Sequence, residues 1–341
     1  MSSPSTEPVY PLLCRPVLKS KIWGGRRLET LLGMKLPSGE KIGEAWIAAD
    51  LPEGASRIGN GPLEGKMLTE AVKAWGEDLT GDAWTEKKRF PLLVKLLDAE
   101  DDLSVQVHPG EEDCRRYFPN HHSKDESWII LHSEPGGRVL HGFRPGATLA
   151  DFKRCLESGD VGECLRPVAV KQGDALRIAP GTVHALCRGV VLLEIQQPSD
   201  STFRVHDYGR LGDDGKPRAL HVIEAQRVVK FDSAPALLTP SRRLRPWGVC
   251  EILVDGPAYR IERFTAKGHV VWAVDPRSVQ VLIVLSGAAT LAAGEMSLRP
   301  KTGESVILPA RIGRVCLECP TTTTFILTGA GGVSLMSATT Q

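Results

Sequence analysis

The stretch Leu103-Ser-Val-Gln-Val-His-Pro109 alternates apolar and polar residues, the pattern of a strand with one buried face. Side chains on a strand point alternately to its two faces. Leu103, Val105 and Val107 therefore share one face, and Ser104, Gln106 and His108 the other. A strand that aims Ser, Gln and His at one place is either solvated or building a site. Two features elsewhere favour a site. Pro180-Gly-Thr-Val-His184 delivers a second His just after a tight turn, and Glu126 heads the apolar run Ser127–His132.

Working outward from this stretch, strand-like segments dominate: Phe90–Asp98, Ser127–His132, Ala175–Ile178, Val190–Gln197, Tyr259–Thr265, Val279–Leu285, Ser305–Leu308 and Thr323–Leu327. They are short and bounded by Gly, Pro, Asp or Ser, as in a sandwich or barrel. Helical patterns are few: Arg26–Leu32, Thr69–Trp75 with Thr69 as cap, and Leu149–Leu156 between Thr148 and Gly159. There is no βαβα alternation and no Gly-x-Gly-x-x-Gly, which argues against a dinucleotide-binding fold. A Pro-rich break falls at Phe231–Gly248. Either side of it, Lys171-Gln-Gly-Asp-Ala-Leu-Arg-Ile-Ala-Pro-Gly-Thr-Val-His184 has a weak echo in Thr302-Gly-Glu-Ser-Val-Ile-Leu-Pro-Ala-Arg-Ile-Gly313, without the His. The expectation is two related β domains, 1–235 and 249–341, joined by a linker at 236–248, with ligands only in the first.

The chain has 341 residues, 42% hydrophobic and 24% charged. That exceeds the roughly 250–300 residues at which single cores stop growing. The net charge is +1 and no basic stripe stands out, so a nucleic-acid partner is not expected. The short cluster Ser241-Arg-Arg-Leu-Arg245 reads as solvated linker. Residues 1–8 lack the apolar stretch of a signal peptide. The most apolar segment, Val279–Ala293, contains Ser286, Gly287 and Thr290 and falls short of the roughly 20 residues a membrane span needs. The chain is expected in the cytoplasm, off membranes, with its eight cysteines reduced. Cys316-x-x-Cys319 has no second ligand pair nearby in sequence and reads as free thiols.

Gln106, His108, Glu126 and His184 are the candidate metal ligands. Two neutral imidazoles with a carboxylate and an open position suit catalytic zinc; Gln is the unusual member. The other histidines (His121, His122, His132, His141, His206, His221, His269) read as structural. Glu194 and Gln196 share one face of an apolar strand. A carboxylate there is costly unless paired, with Arg204 or Lys124 as partners. Lys95, inside Leu92–Leu97, either snorkels to the surface or binds a phosphate together with Ser104.

Several longer runs carry a family resemblance: Ile22-Trp-Gly-Gly25, Ile42-Gly-Glu-Ala-Trp46, Pro91-Leu-Leu-Val-Lys-Leu-Leu-Asp98, Leu103–Pro109, Lys124-Asp-Glu-Ser-Trp128, Gly181-Thr-Val-His-Ala185 and Leu193-Glu-Ile-Gln-Gln-Pro-Ser-Asp-Ser-Thr-Phe-Arg-Val-His-Asp-Tyr208. In this order, over roughly residues 10–230, they resemble the short bacterial form of the type I mannose-6-phosphate isomerases. The resemblance implies a mainly β fold of two cupin-type jelly rolls with a few decorating helices. It implies one zinc per chain on Gln106, His108, Glu126 and His184, and Arg204 as the catalytic arginine. Lys124, Glu194 and Glu44 become further active-site groups, and Lys95 and Ser104 phosphate binders. The implied reaction interconverts mannose 6-phosphate and fructose 6-phosphate through a cis-enediol, in a monomer. The alternatives are a differently specific or non-catalytic sugar-phosphate-binding cupin, and a cupin dioxygenase, which the Gln-x-His spacing disfavours. The chain departs from the family at Ala179 and at Ala48-Ala49.

Overall fold

The computed structural model describes residues 8–82, 84, 89–212, 215–231 and 237–336. Two antiparallel sheets form the first part of the chain. One has six strands, in the order Ala175–Ile178, Glu126–Ser133, Val190–Gln196, Leu93–Ala99, Ile42–Ala48 and Val17–Gly25. The other has five, in the order Leu165–Ala169, Arg138–Phe143, His184–Leu186, Val105–Val107 and Phe203–His206. They lie face to face, since Glu126 of one meets His184 of the other at 3.2 Å. A ten-stranded sheet holds most of residues 241–330. The protein is thus mainly β and jelly-roll in class, with helices at the margins.

The two central strands of the six-stranded sheet, Leu93–Ala99 and Val190–Gln196, are buried along their whole length. Covered on both faces, they read as near-continuous apolar runs rather than alternations. That is why Lys95 and Glu194 stand out in them, and the register sets these two directly opposite each other. The strand expected over Leu103–His108 forms only at Val105–Val107, with His108 just beyond its end. The helix Leu149–Ser158 is capped by Thr148, whose hydroxyl accepts from the Asp151 N–H, and ends at Gly159 in the left-handed region. The helix Leu68–Trp75 corrects the expectation for Thr69. It lies inside the helix, not at its cap, and donates its hydroxyl to Asp50 at 2.5 Å.

The weak internal echo is a repeated local structure. Gly173 and Gly303 both have positive φ (92° and 80°). Asp174 and Glu304 both accept from the backbone N–H three residues back, at 2.9 and 2.8 Å. The strands Ala175–Ile178 and Ser305–Leu308 follow, then a turn, then a strand beginning at His184 in one copy and Arg314 in the other. Two boundary expectations change. Ser241–Arg245 is not linker but a strand paired with Gly248–Asp255, exposed throughout, as its charges suggest. Leu12–Arg15, expected with the first domain, pairs with Ser305–Leu308 in the ten-stranded sheet. One buried cluster joins Leu12, Ile47, Leu96, Ile283 and Ile307 across both parts.

The later part also braces the earlier one. Tyr259 is buried (1% exposed). Its hydroxyl lies 3.0 Å from Ser127 Oγ and donates to Asp125 Oδ1 at 3.2 Å, on either side of Glu126 in sequence. Arg177 reaches the same Asp125 with two N–H groups. Tyr259→Phe removes one hydroxyl and strands buried acceptors, a loss of about 1 kcal/mol or somewhat more. Urea unfolding reads it as a lower midpoint at unchanged slope; an unchanged midpoint would mean that water replaces the hydroxyl.

Candidate metal centre and active site

Cross-strand register places the polar groups. On the five-stranded sheet, Gln106 is directly opposite His184 on one side and Arg204 on the other, so the three share a face. On the six-stranded sheet, one row runs Trp128, Glu194, Lys95, Trp46. Glu126, two residues from Trp128, shares that face, as does Glu44, two from Trp46. Stacking the two sheets turns both rows toward one buried space.

His108, Glu126 and His184 each offer a ligand atom, and these atoms lie within 4.8 Å of one another, all three residues buried. His184 Nε2 is 3.2 Å from Glu126 Oε1 and His108 Nε2 is 3.4 Å from Oε2. The other imidazole nitrogens are spoken for. His108 Nδ1 donates to the Ser201 carbonyl and His184 Nδ1 to the Thr182 carbonyl, both at 2.9 Å. Such bonds fix the rings and turn each Nε2 lone pair toward the cluster, where Lys124 Nζ lies 3.2 Å from His108 Nε2. Burial, seconded by Lys124, holds His108 down at about 3, so it is neutral at neutral pH. Burial works against the Glu126 anion, but the Lys124 ammonium outweighs it and holds the carboxyl well below its ordinary range. Lys124 Nζ stands 2.7 Å from Oε2 as an ion pair, yet neither carboxylate oxygen has a hydrogen bond of acceptable geometry. Two imidazoles with Nε2 turned inward and a carboxylate without hydrogen bonds fit a divalent metal ion. Gln106 Nε2 is 3.2 Å from His184 Nε2. A half-turn of the amide exchanges its O and N and presents the oxygen to the same point.

Beside this cluster runs a line of alternating charge. Lys21 Nζ lies 3.3 Å from Glu44 Oε1. Lys95 Nζ lies 3.9 Å from both Glu44 Oε2 and Glu194 Oε1. Lys124 Nζ lies 3.7 Å from Glu194 and 2.7 Å from Glu126. Lys95 therefore does not snorkel; it is 4% exposed, with its ammonium 5.2 Å from the Trp46 ring centre. Burial opposes the Glu44 anion, but Lys95, Lys21 and the Trp46 indole N–H (2.6 Å) hold it down at about 2. Glu194 differs. Burial and the nearby Glu126 charge push it up to about 7, and its Oε1 has no hydrogen-bond partner. Lys124 is held above its ordinary range, because Glu126 and Glu194 outweigh its burial.

Arg204 and Ser104 sit at the margin. Arg204 donates Nη1 to the Ala219 carbonyl at 2.9 Å and makes no ion pair among the described residues, so it is not the partner of Glu194. Ser104 directs its hydroxyl at the Gln106 amide oxygen, 3.5 Å away, rather than toward Lys95. The Thr182 and Ser201 carbonyls escaped sequence reading because backbone carries no residue signal. Trp128, edge-on to His184 at 5.5 Å, was visible only as an apolar strand residue. A cavity of about 750 Å³, lined in part by Asp50, Arg89, His122, Asp200 and Ser201, adjoins the centre through the Ser201 carbonyl. None of the ten residues singled out from sequence lines it. Of the seven histidines set aside, His141 is a satisfied core residue, donating Nε2 to the Arg177 carbonyl and accepting from Arg166.

An antiparallel jelly roll whose interior gathers two imidazoles and a carboxylate defines a cupin-type metal-site protein. Comparison narrows the class. Residues 11–140 match the catalytic domain of phosphomannose isomerase type I. The probable mannose-6-phosphate isomerase GmuF of Bacillus subtilis is 35% identical, covering 91% of this chain and 96% of its own length. Mannose-6-phosphate isomerase ManA of the same organism is 32% identical, covering 90% and 96%. The crystal structure of mannose 6-phosphate isomerase from Bacillus subtilis superposes with a TM-score of 0.85 at 32% identity, over 93% of this chain and 99% of that one. A variant of the Salmonella typhimurium phosphomannose isomerase shares the fold, with a TM-score of 0.74 at 18% identity. The chain belongs to the type I phosphomannose isomerase family. No helix among the described residues is long and apolar enough to cross a membrane.

Two measurements follow from the centre. A divalent transition metal added to chelator-treated protein raises the thermal midpoint with concentration, as for any ligand of the folded state. Glu126→Gln and His184→Ala abolish that rise; an equal rise in all three proteins would put the ion elsewhere. The second concerns pH. Glu44 is lowered from 4.5 to about 2 in the fold. A carboxyl lowered by folding contributes stability above its unfolded pKa and loses it as pH falls through the folded one. The stability gap between wild type and Glu44→Gln is widest above pH 4.5 and narrows toward pH 2. A gap that stays constant over that range would show that Glu44 does not carry it.

Proposed function

We propose that the chain interconverts mannose 6-phosphate and fructose 6-phosphate through a cis-enediol. The observation that supports this most is a His108–Glu126–His184 cluster with Glu194 and Lys124 at its edge, in a member of this family. The ligand set in this reading is Gln106, His108, Glu126 and His184, holding one zinc per chain. Bound zinc supplies Lewis-acid polarisation of the sugar's reacting oxygens and orients them.

The remaining chemistry falls to the chain's own side chains. A proton must leave C2 and arrive at C1. Glu44 is a poor base, fixed as an anion by two lysines and an indole N–H. Lys124 is poor too, held protonated by Glu126. Glu194, buried, pushed up to about 7 and with an uncommitted oxygen, has a pKa matched to neutral pH, where general bases work best. We assign it the carbon-bound transfer, with its carboxylate taking the C2 proton and returning it at C1 while the hydroxyl proton passes from O2 to O1. Lys124 holds Glu126 and Glu194 in register. Arg204, without a carboxylate of its own, neutralises the enediolate charge. Ser104 and Lys95 stay phosphate binders on the family resemblance alone, since Lys95 shares its charge between Glu44 and Glu194 and Ser104 turns toward Gln106. The packing of 249–341 against the strand of Glu126, through Tyr259, supports a bracing role for that part. Eight free thiols fit a reducing cytoplasm, and a monomer suffices, since the chemistry is drawn from one chain.

The test is a coupled assay of mannose 6-phosphate to fructose 6-phosphate. Chelator should abolish turnover and zinc restore it. Arg204→Ala should lower kcat by about 10²–10³, and Glu194→Gln by about 10²–10⁴. Zinc-loaded protein that turns over glucose 6-phosphate but not mannose 6-phosphate would overturn the substrate. Loss of less than about threefold in Glu194→Gln would move the proton transfer to another group, since positioned bases contribute far more.

A further inference from the structure

Arg204 is half-buried, and its Nε is buried without a hydrogen-bond partner. Its guanidinium is held instead from the side, by a segment that leaves the Phe203–His206 strand and comes back. The Ala219 carbonyl accepts from Arg204 Nη1 at 2.9 Å. The His221 N–H donates to the Arg204 carbonyl at 2.7 Å, and His221 Nδ1 accepts from the Arg204 N–H at 3.3 Å. Three contacts thus tie residues 219–221 to one arginine.

What fixes that returning segment is Asp207, 5% exposed. Its carboxylate takes both N–H groups of a guanidinium fork from Arg218, with Nε to Oδ2 at 2.6 Å. It takes a third from Arg210, Nη2 to Oδ1 at 2.7 Å. Arg210 in turn anchors to the Asp102 carbonyl, just before the strand of Gln106. Arg218 is the residue before Ala219, so the fork on Asp207 sets where the Ala219 carbonyl stands. The chain turns sharply here. Tyr208, next to Asp207, has φ 55°, the only positive φ at a non-glycine among the described residues. Such a conformation persists only where surrounding contacts impose it.

We propose that Asp207 is a positioning residue for Arg204, acting through Arg218 and the Ala219 carbonyl. The inference rests on the assignment of Arg204 to the enediolate charge made above. It is specific because a bare guanidinium on a flexible stem loses its geometry unless fixed, and a misplacement of about 1 Å can lower a rate by about 10². It also separates two neighbouring arginines by role. Arg218 spends its fork on Asp207, while Arg204 keeps its charge for substrate.

The test uses the full-length, metal-loaded protein and two variants of the clamp, Asp207→Asn and Arg218→Lys. The lysine keeps the charge and loses the fork, so it serves should the asparagine variant fail to fold. The readouts are kcat and KM for mannose 6-phosphate, metal content, and the ¹⁵N-resolved Nε–H resonance of Arg204, identified by its loss in Arg204→Ala. The expected result is a kcat lower by about 10-fold to 10², a KM little changed, full metal content and a displaced or broadened Arg204 resonance. An unchanged kcat with an unmoved resonance overturns the proposal. So does a fall in kcat with the resonance in place, or a shifted resonance with full kcat. Full activity in Arg204→Ala itself would instead sink the assignment of Arg204, and the clamp's catalytic role with it.

Discussion

The Glu126 carboxylate is the constraint to which the rest of the interior answers. It is a charge placed almost wholly out of water, 1% exposed, at the start of a strand whose next residues are apolar. An isolated carboxylate there would be strongly disfavoured. Lys124 at 2.7 Å compensates part of the charge, but that lysine is itself buried and has to be balanced. Glu194 does this, and its charge calls for Lys95, whose charge calls for Glu44. The line ends at Lys21, partly open to solvent. Each member is explained by the one before it, and the origin is a buried carboxylate held ionised by its lysine.

Such a line does little for stability taken alone. Desolvation of buried ions roughly cancels their attraction, and replacing buried pairs with apolar residues often stabilises a fold. Its use here is graded ionisation. Glu44, with an indole N–H and a lysine on each side, is fixed as an anion. Glu194 has two ammonium groups only at 3.7 and 3.9 Å and no hydrogen bond to the facing oxygen. Two carboxyls on one face of one sheet are thereby driven apart in affinity for a proton. Separated affinities of this kind are how a single site keeps one carboxyl for electrostatics and another for proton transfer.

The meeting of His108, Glu126 and His184 was legible because it obeys strand arithmetic. Gln106 and His108 lie two apart, Glu126 heads an apolar run, and His184 follows a Pro-Gly turn. Lys95 and Glu194 were visible as polar interruptions, but their meaning was not. A lysine in an apolar run reads as a snorkelling surface residue, and only the register that sets it opposite Glu194, with Glu44 one strand further on, shows it is paired inside. Thr69 was misplaced for a similar reason. A threonine near a helix start suggests a cap, whereas a partner 19 residues earlier, Asp50, claims its hydroxyl. Ser241–Arg245 looked like linker because its charges and flanking prolines are those of an exposed edge strand too, where charge discourages unwanted pairing. The Thr182 and Ser201 carbonyls left no trace in sequence at all.

The repeated motif shows why one part of the chain carries the chemistry. Both copies build the same Gly turn, the same acid-capped approach and the same four-residue strand. The backbone is thus indifferent to function. In the first copy the following strand begins with His184, facing a second sheet that supplies Glu126. In the second it begins with Arg314, which is exposed. The second copy spends its inward positions on packing, and Ser305 reaches across to the Ile47 carbonyl of the strand that carries Glu44 and Trp46. Tyr259 does the same for the residues beside Glu126. A fold unit without ligands still serves the centre, because a carboxylate held 3.2 and 3.4 Å from two imidazoles needs a strand that cannot shift, and the second unit is what that strand leans on.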